Sequence, residues 1–230
     1  MSRFQTTRWS LIEDAREHPS RSRAALEQLC RAYRPPVLAF VRHSGYGTSD
    51  AEDLTQAFFL RFLEHGWYAD ATPERGRFRS LLLTSLRHFL SDQRAQALAR
   101  KRGGGVAPLG EDVLERIPGG ESPEEAFTRE WLATVVDHAM NHLRAEWVQV
   151  GKLEQFRQLS AMLIERADPE ELHALAVEAG VRPNTLTVQV HRMRQRLRQL
   201  VRLELLQTVG SREALELELA ELRGALQPPQ

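Results

Sequence analysis

Cysteine, lysine and long apolar runs are scarce in this chain, and each scarcity excludes something. Of its 230 residues one is a cysteine, Cys30, so no intrachain disulfide can form and a buried or half-buried, unreactive thiol is expected. Lysine occurs only as Lys101 and Lys152, so nearly all of the 31 basic residues are arginines. No apolar stretch nears the roughly 20 residues that span a bilayer, so no membrane contact is expected. The opening MSRFQTTRWSLIEDARE breaks its apolar residues with charges and is not expected to act as a secretory signal, which leaves the cytoplasm as the expected compartment. Strand-like alternation rich in Val, Ile and Thr is missing. No Gly-rich phosphate loop follows a strand and no nucleophile–base set is visible, so neither an enzyme nor a cofactor is expected. His138 and His142 stand four apart on one helical stretch, a spacing that can bind metal. Without an HExxH motif or a nearby cysteine pair, no metal is expected.

What is present is a helical chain with its charge sorted into blocks. Hydrophobic residues make up 42% and charged residues 27%, which suits one or two globular domains. The 31 basic residues balance 31 acidic ones, yet residues 75–102 carry eight basic side chains against Asp92 alone, and residues 182–203 carry six arginines and no acid. Between them, residues 103–130 are net −5, and the tail from Glu204 is net −3. Basic helical blocks are candidate phosphate-binding surfaces; solvated helix faces are the other reading, and both stay open at this point.

Helical spacing and caps divide the chain. Residues 24–32 and 37–43 read as helix on either side of Pro35-Pro36, which should break or kink them. Ser49 with Glu52 reads as a capping box that starts a helix to about residue 65, with Leu54, Ala57, Phe58, Leu60, Phe62 and Leu63 as its apolar positions. A polar loop with Trp67 and Tyr68 follows, then a helix over residues 78–100 with Leu81, Leu82, Leu86, Phe89 and Leu90 at core spacing. From Gly103 the chain turns Gly- and Pro-rich and acidic, as an interdomain tether would. Ser122-Pro123-Glu124-Glu125 caps the next helix, which reaches Trp147, and another helix covers about residues 152–166. Asp168-Pro169-Glu170-Glu171 caps a short helix with Leu172, Leu175 and Ala176 inward. Gly180 then permits a left-handed turn, with Val181 as a plug. Pro183 or Asn184 starts a long helix with the stripe Leu186, Val190, Met193, Leu197 and Leu200. A short helix, a Gly turn and a basic second helix make a helix-turn-helix pattern, whose second helix enters the DNA major groove. Residues 211–226 read as a capped amphipathic helix with Leu215, Leu219, Leu222 and Leu226 on one stripe. It would pack on its own domain or serve a regulatory partner protein.

The expected fold is therefore all-α. A helical domain spans residues 1–102, a flexible acidic linker 103–121, a helix-turn-helix domain 122–210, and a C-terminal helix and tail 211–230.

Three motifs in order resemble one family. Asp50-Ala51-Glu52-Asp53-Leu54-Thr55-Gln56-Ala57-Phe58-Phe59 is similar to the D-x-E-D-L-x-Q-x-x-F signature of bacterial RNA polymerase sigma factors of the extracytoplasmic-function type. Phe78-Arg79-Ser80 through Leu86-Arg87-His88 to Asp92 resembles that family's promoter-melting, −10-reading helix. Gly180-Val181, Thr185-Leu186 and Val190-His191-Arg192-Met193-Arg194 resemble its −35-reading helix-turn-helix. Phe4-Gln5-Thr6-Thr7-Arg8-Trp9-Ser10 looks like a subgroup with an extended N-terminus. The resemblance implies a non-enzymatic protein that binds core RNA polymerase and promoter DNA. It places polymerase docking on Asp50, Asp53, Gln56 and Phe59, and −10 contacts on Arg75, Arg77, Arg79, Arg87, His88 and Arg94. It places −35 contacts on Asn184, Thr185, Thr187, Val188, Gln189, Arg192 and Arg194. The chain departs from the family at Arg182, where a Ser or Thr cap is common, at Thr187 for a usual Lys, at Gln189 for a frequent Arg, and at His88 for a frequent Asn. By the same resemblance Glu111, Asp112 and Glu115 of the linker would mimic nucleic-acid charge in the polymerase channel; a solubilising tether is the other reading. A helix-turn-helix regulator, or a degenerate sigma-like adaptor that does not initiate transcription, is the alternative function.

Overall fold

Helix-period sequence becomes helix throughout: the described residues of the computed structural model form eight α-helices and one 3-10 turn, with no strand among them. Those residues are 19–67, 78–103, 120–163, 169–178, 180–209 and 211–225. In chain order the helices are α1 (Pro19–His43), α2 (Thr48–Glu64), α3 (Phe78–Gly103), α4 (Pro123–Gln149), α5 (Leu153–Ser160), α6 (Pro169–Glu178), α7 (Pro183–Leu206) and α8 (Arg212–Ala225). The 3-10 turn Ala161–Leu163 extends α5. Among the described residues no helix is long and apolar enough to cross a membrane. The N-terminal motif, Tyr68, Arg75, Arg77, linker residues 104–119, Asp168 and Leu226 lie outside the described residues.

The chain divides into two compact units, residues 1–134 with 206–230, and residues 135–205. The division differs from a boundary at residue 122, because the start of α4 belongs with the first unit. There Glu124 accepts hydrogen bonds from Arg87 Nε and Nη2 at 3.1 and 2.8 Å, and Thr128 accepts one from Arg79 at 3.1 Å. The C-terminal helix α8 also belongs to the first unit rather than to the second.

In the first unit α1 runs unbroken through Pro35 and Pro36. A helix-interior proline costs about 3 kcal/mol or more. Tyr33, Val37, Phe40 and Val41 are buried beside the two prolines, each contributing about 1.5–3 kcal/mol, so packing outweighs the lost backbone bonds. Helix α2 starts at Thr48 with Gly47 as its N-cap and no side-chain cap. Ser49 is thus inside the first turn and no capping box forms. Glu52 turns instead to the Arg34 and Arg42 guanidiniums of α1. Ala51, Thr55, Phe58 and Phe62 are the buried positions of α2, whereas Leu60 is 59% exposed. Phe78, Leu82, Leu86, Phe89 and Leu90 of α3 face inward. The box at α4 forms as its sequence dictates: Ser122 N–H donates to Glu125 at 2.7 Å, and Glu125 N–H to Ser122 Oγ at 3.2 Å.

In the second unit, Leu143, Phe156, Leu159, Met162, Leu172, Ala176 and the whole α7 stripe, Leu186, Val190, Met193, Leu197 and Leu200, form one core. Gly180 has φ +64°. Its N–H bonds to Val177 O at 3.1 Å and the Val181 N–H to Ala176 O at 2.9 Å, the paired bonds of a Schellman stop. Val181 itself is 39% exposed and does not plug the helices. A Cβ at position 180 would meet nothing within 4 Å, so only backbone strain opposes a side chain there. Gly180→Ala is expected to destabilise the protein by about 1 kcal/mol in urea unfolding; wild-type stability would contradict the left-handed turn.

Candidate functional site

The buried phase of α2 decides what its other side offers. With Phe58 and Phe62 locked inward, Asp50, Asp53, Gln56 and Leu60 are exposed on the opposite side of the helix. Phe59 sits half-buried at the flank, 5.4 Å from the Phe58 ring centroid in an edge-on contact. This face couples one large exposed apolar side chain to a carboxylate and an amide, the composition of a protein-docking patch. Leu60 was expected in the core. The buried set at 51, 55, 58 and 62 shows that counting helix phase from Phe58 would have placed it outside.

The basic residues of the first unit are less available than their number suggests. Arg79 has an 11% exposed side chain and contacts Glu218 and Glu221 of α8. Arg87 is bound to Glu124. Arg94 donates to Tyr46 Oη at 3.2 Å and to the Ser44 carbonyl at 3.3 Å, and lies over the Tyr46 ring. His88 is exposed. Trp67 is half-buried, edge-on to Phe62 and stacked on His65, so its ring covers the core.

In the second unit the start of α7 presents Asn184, Thr185, Thr187, Val188 and Arg192 as exposed residues. Gln189 is partly buried and accepts a hydrogen bond from Gln155 Nε2 at 3.1 Å. Arg194 turns inward, its Nε donating to the Met162 carbonyl at 3.1 Å. Arg196 grips Glu146, with Nε 3.0 Å from Oε2, and the hydrogen bonds to this carboxylate raise its pKa above the usual guanidinium value. Asn184, Thr185, Val188 and Arg192 line one side of an open groove of about 800 Å³, with Trp147, Val150 and Lys152 on the other. The groove combines exposed valines with three cations, Lys152, Arg192 and the Glu146-bound Arg196, and none of its far-side residues was expected from sequence. Their signal is weak, since Val150 and Lys152 flank a Gly turn that reads as a plain connection.

His138 and His142 both face the buried Glu204, at 3.8 and 3.3 Å. Among the described residues no group of three or more His, Cys, Asp or Glu is placed to hold a metal ion.

Residues 29–100 match the family model described as sigma-70 region 2. Over that stretch the chain is similar to sigma-70-family sigma factors. The matched stretch runs from within α1 to near the end of α3 and contains the outer face of α2 and Arg79, Arg87 and Arg94 of α3. The match supports a role in RNA polymerase binding and promoter recognition. No curated protein and no solved structure matches the chain.

Cys30, just inside the matched stretch, is a partly buried thiol whose burial pushes its pKa up to about 11. A protonated thiol is a poor nucleophile. Alkylation by iodoacetamide at pH 8 is therefore expected to be about a hundredfold slower than for an exposed cysteine, rising as pH approaches 11; rapid labelling at pH 8 would contradict the buried setting.

Proposed function

We propose that this protein is a sigma factor of the sigma-70 family and of the extracytoplasmic-function type, acting in the cytoplasm. It binds core RNA polymerase through the outer face of α2 and directs promoter-specific initiation. The observation that carries the reading is the exposed set Asp53, Gln56 and Leu60, displayed on one side of a helix inside the region 2 match. Leu60, 59% exposed, gives this face an apolar anchor with polar neighbours, the arrangement by which a few residues dominate an interface. Asp50 and Phe59 complete the patch.

Promoter contact divides between the units in this reading. Arg75, Arg77, Arg79, Arg87, His88 and Arg94 serve the −10 element, whose opened strand needs positive charge along its backbone. Asn184, Thr185, Thr187 and Val188 face base edges of the −35 element, with Arg192 on a phosphate and Gln189 and Arg194 positioned behind them. The exposed Val188 suits a thymine methyl group. Acidic linker residues 111, 112 and 115 join the two contacts.

Asp53→Ala with Gln56→Ala is expected to weaken core polymerase binding about tenfold, the scale of a modest hot spot, with unchanged thermal unfolding. Wild-type binding by that variant would remove the docking assignment. Leu60→Ala is expected to weaken core binding similarly while shifting stability by less than about 0.5 kcal/mol; a large loss of stability would show Leu60 to be a core residue. Arg192→Ala is expected to lower the salt slope of promoter binding by about one unit, and an unchanged slope would exclude its phosphate contact.

A further inference from the structure

Arg79 is the second residue of α3 and lies inside the region 2 match, yet α8, from the far end of the sequence, encloses its charge. Glu218, with a side chain 1% exposed, places Oε1 2.9 Å from Arg79 Nε, and Glu221 places Oε2 3.5 Å from Nη2. The Nε–H is not aimed at Glu218 Oε1, so this contact is a close ion pair rather than an aligned hydrogen bond. Nη1 donates to Thr128 Oγ1 at 3.1 Å, and the guanidinium lies over the Trp131 ring, 5.3 Å from its centroid. Leu215 and Leu222 are buried and fasten the same helix.

A carboxylate as buried as that of Glu218 needs pairing to be tolerated, so its contact with the partly buried Arg79 helps to hold α8 against the start of α3. The hold is conditional. An isolated helix of 14 residues is marginal in water, so α8 owes its form to these contacts. A guanidinium that accepts carboxylates accepts phosphates with the same planar donors. We propose that α8 is a detachable cover for Arg79, so that its two glutamates and nucleic-acid phosphate compete for one guanidinium. The acidic tail then restrains DNA binding by region 2 until α8 is displaced. This rests on the reading of α3 as a DNA-contacting helix, and it answers the question of the tail's partner with a surface of the chain itself.

The test needs no polymerase, so it stands or falls separately from the docking assignment. Binding of the full chain to a mixed-sequence single-stranded DNA oligonucleotide is measured by fluorescence anisotropy over a range of salt. Glu218→Gln with Glu221→Gln is expected to bind several-fold tighter, with a salt slope steeper by about one unit as one more phosphate is neutralised. Adding Arg79→Gln to that pair is expected to remove the gain. No gain in the glutamine pair overturns the proposal. A gain that survives Arg79→Gln also overturns it, by tracing the effect to general loss of negative charge. A second measurement uses the unaltered protein and so does not depend on a variant folding. Amide hydrogen exchange in α8 is expected to quicken when the oligonucleotide is added, and unchanged or stronger protection of α8 would overturn the cover.

Discussion

Aromatic packing sets the first unit. Tyr33 of α1, Phe58 and Phe62 of α2, and Phe78 and Phe89 of α3 meet edge-on or tilted, with ring centroids 5.0 to 6.4 Å apart. Each such pair adds about 0.5–1.5 kcal/mol beyond simple burial, and each allows few relative orientations. The cluster therefore fixes the rotation of α2 about its own axis. Asp53, Gln56 and Leu60 face outward because Phe58 and Phe62 face inward; a quarter-turn would bury a carboxylate and expose a ring. The surface assigned to polymerase is thus a consequence of the core beneath it.

Charge follows a different logic. Two basic blocks suggest two open basic surfaces, yet many of the arginines are engaged within the fold. Arg34 and Arg42 share Glu52, Arg87 binds Glu124, Arg129 binds Glu121, Arg194 caps the Met162 carbonyl and Arg196 binds Glu146. Pairs on the surface exchange partners at little cost, because an exposed ion pair contributes about 1 kcal/mol or less. Arg79 differs in kind, since its pairing is buried. Among these residues, the one whose release would matter most is the one placed inside the region 2 match and covered by the tail.

Local signals were legible where local physics decides. The Ser122–Glu125 box, the left-handed Gly180 stop, the α7 stripe and the inward face of α3 all follow from spacing and from backbone rules that act within a few residues. Other readings failed for an identifiable reason. The Ser49–Glu52 box lost Glu52 to arginines on another helix, Pro35-Pro36 did not break α1 because burial on both sides carried the helix through, Val181 stayed exposed instead of plugging the helices, and Leu60 was assigned by residue type instead of helix phase. Of the candidate site, the residue identities on α2 and at the start of α7 were legible. The withdrawal of Gln189 and Arg194 into contacts with Gln155 and Met162 was not, since these partners lie 34 and 32 residues away in sequence.

The sequence by itself determined that the chain is helical, where its caps and Gly stops stand, and that its N-terminal half carries the motif of region 2. Those properties are set by backbone geometry and by side chains within a turn or two of one another. The tertiary structure decided which arginines are spent inside the fold, that Leu60 is among the leucines standing outside it, and that the C-terminal helix belongs with the first unit. Such choices depend on contacts between residues on different helices, from Arg34 and Glu52, 18 positions apart, to Arg79 and Glu218 in the two separate segments of the first unit's sequence, and no local pattern encodes which distant charge will be near enough to pair.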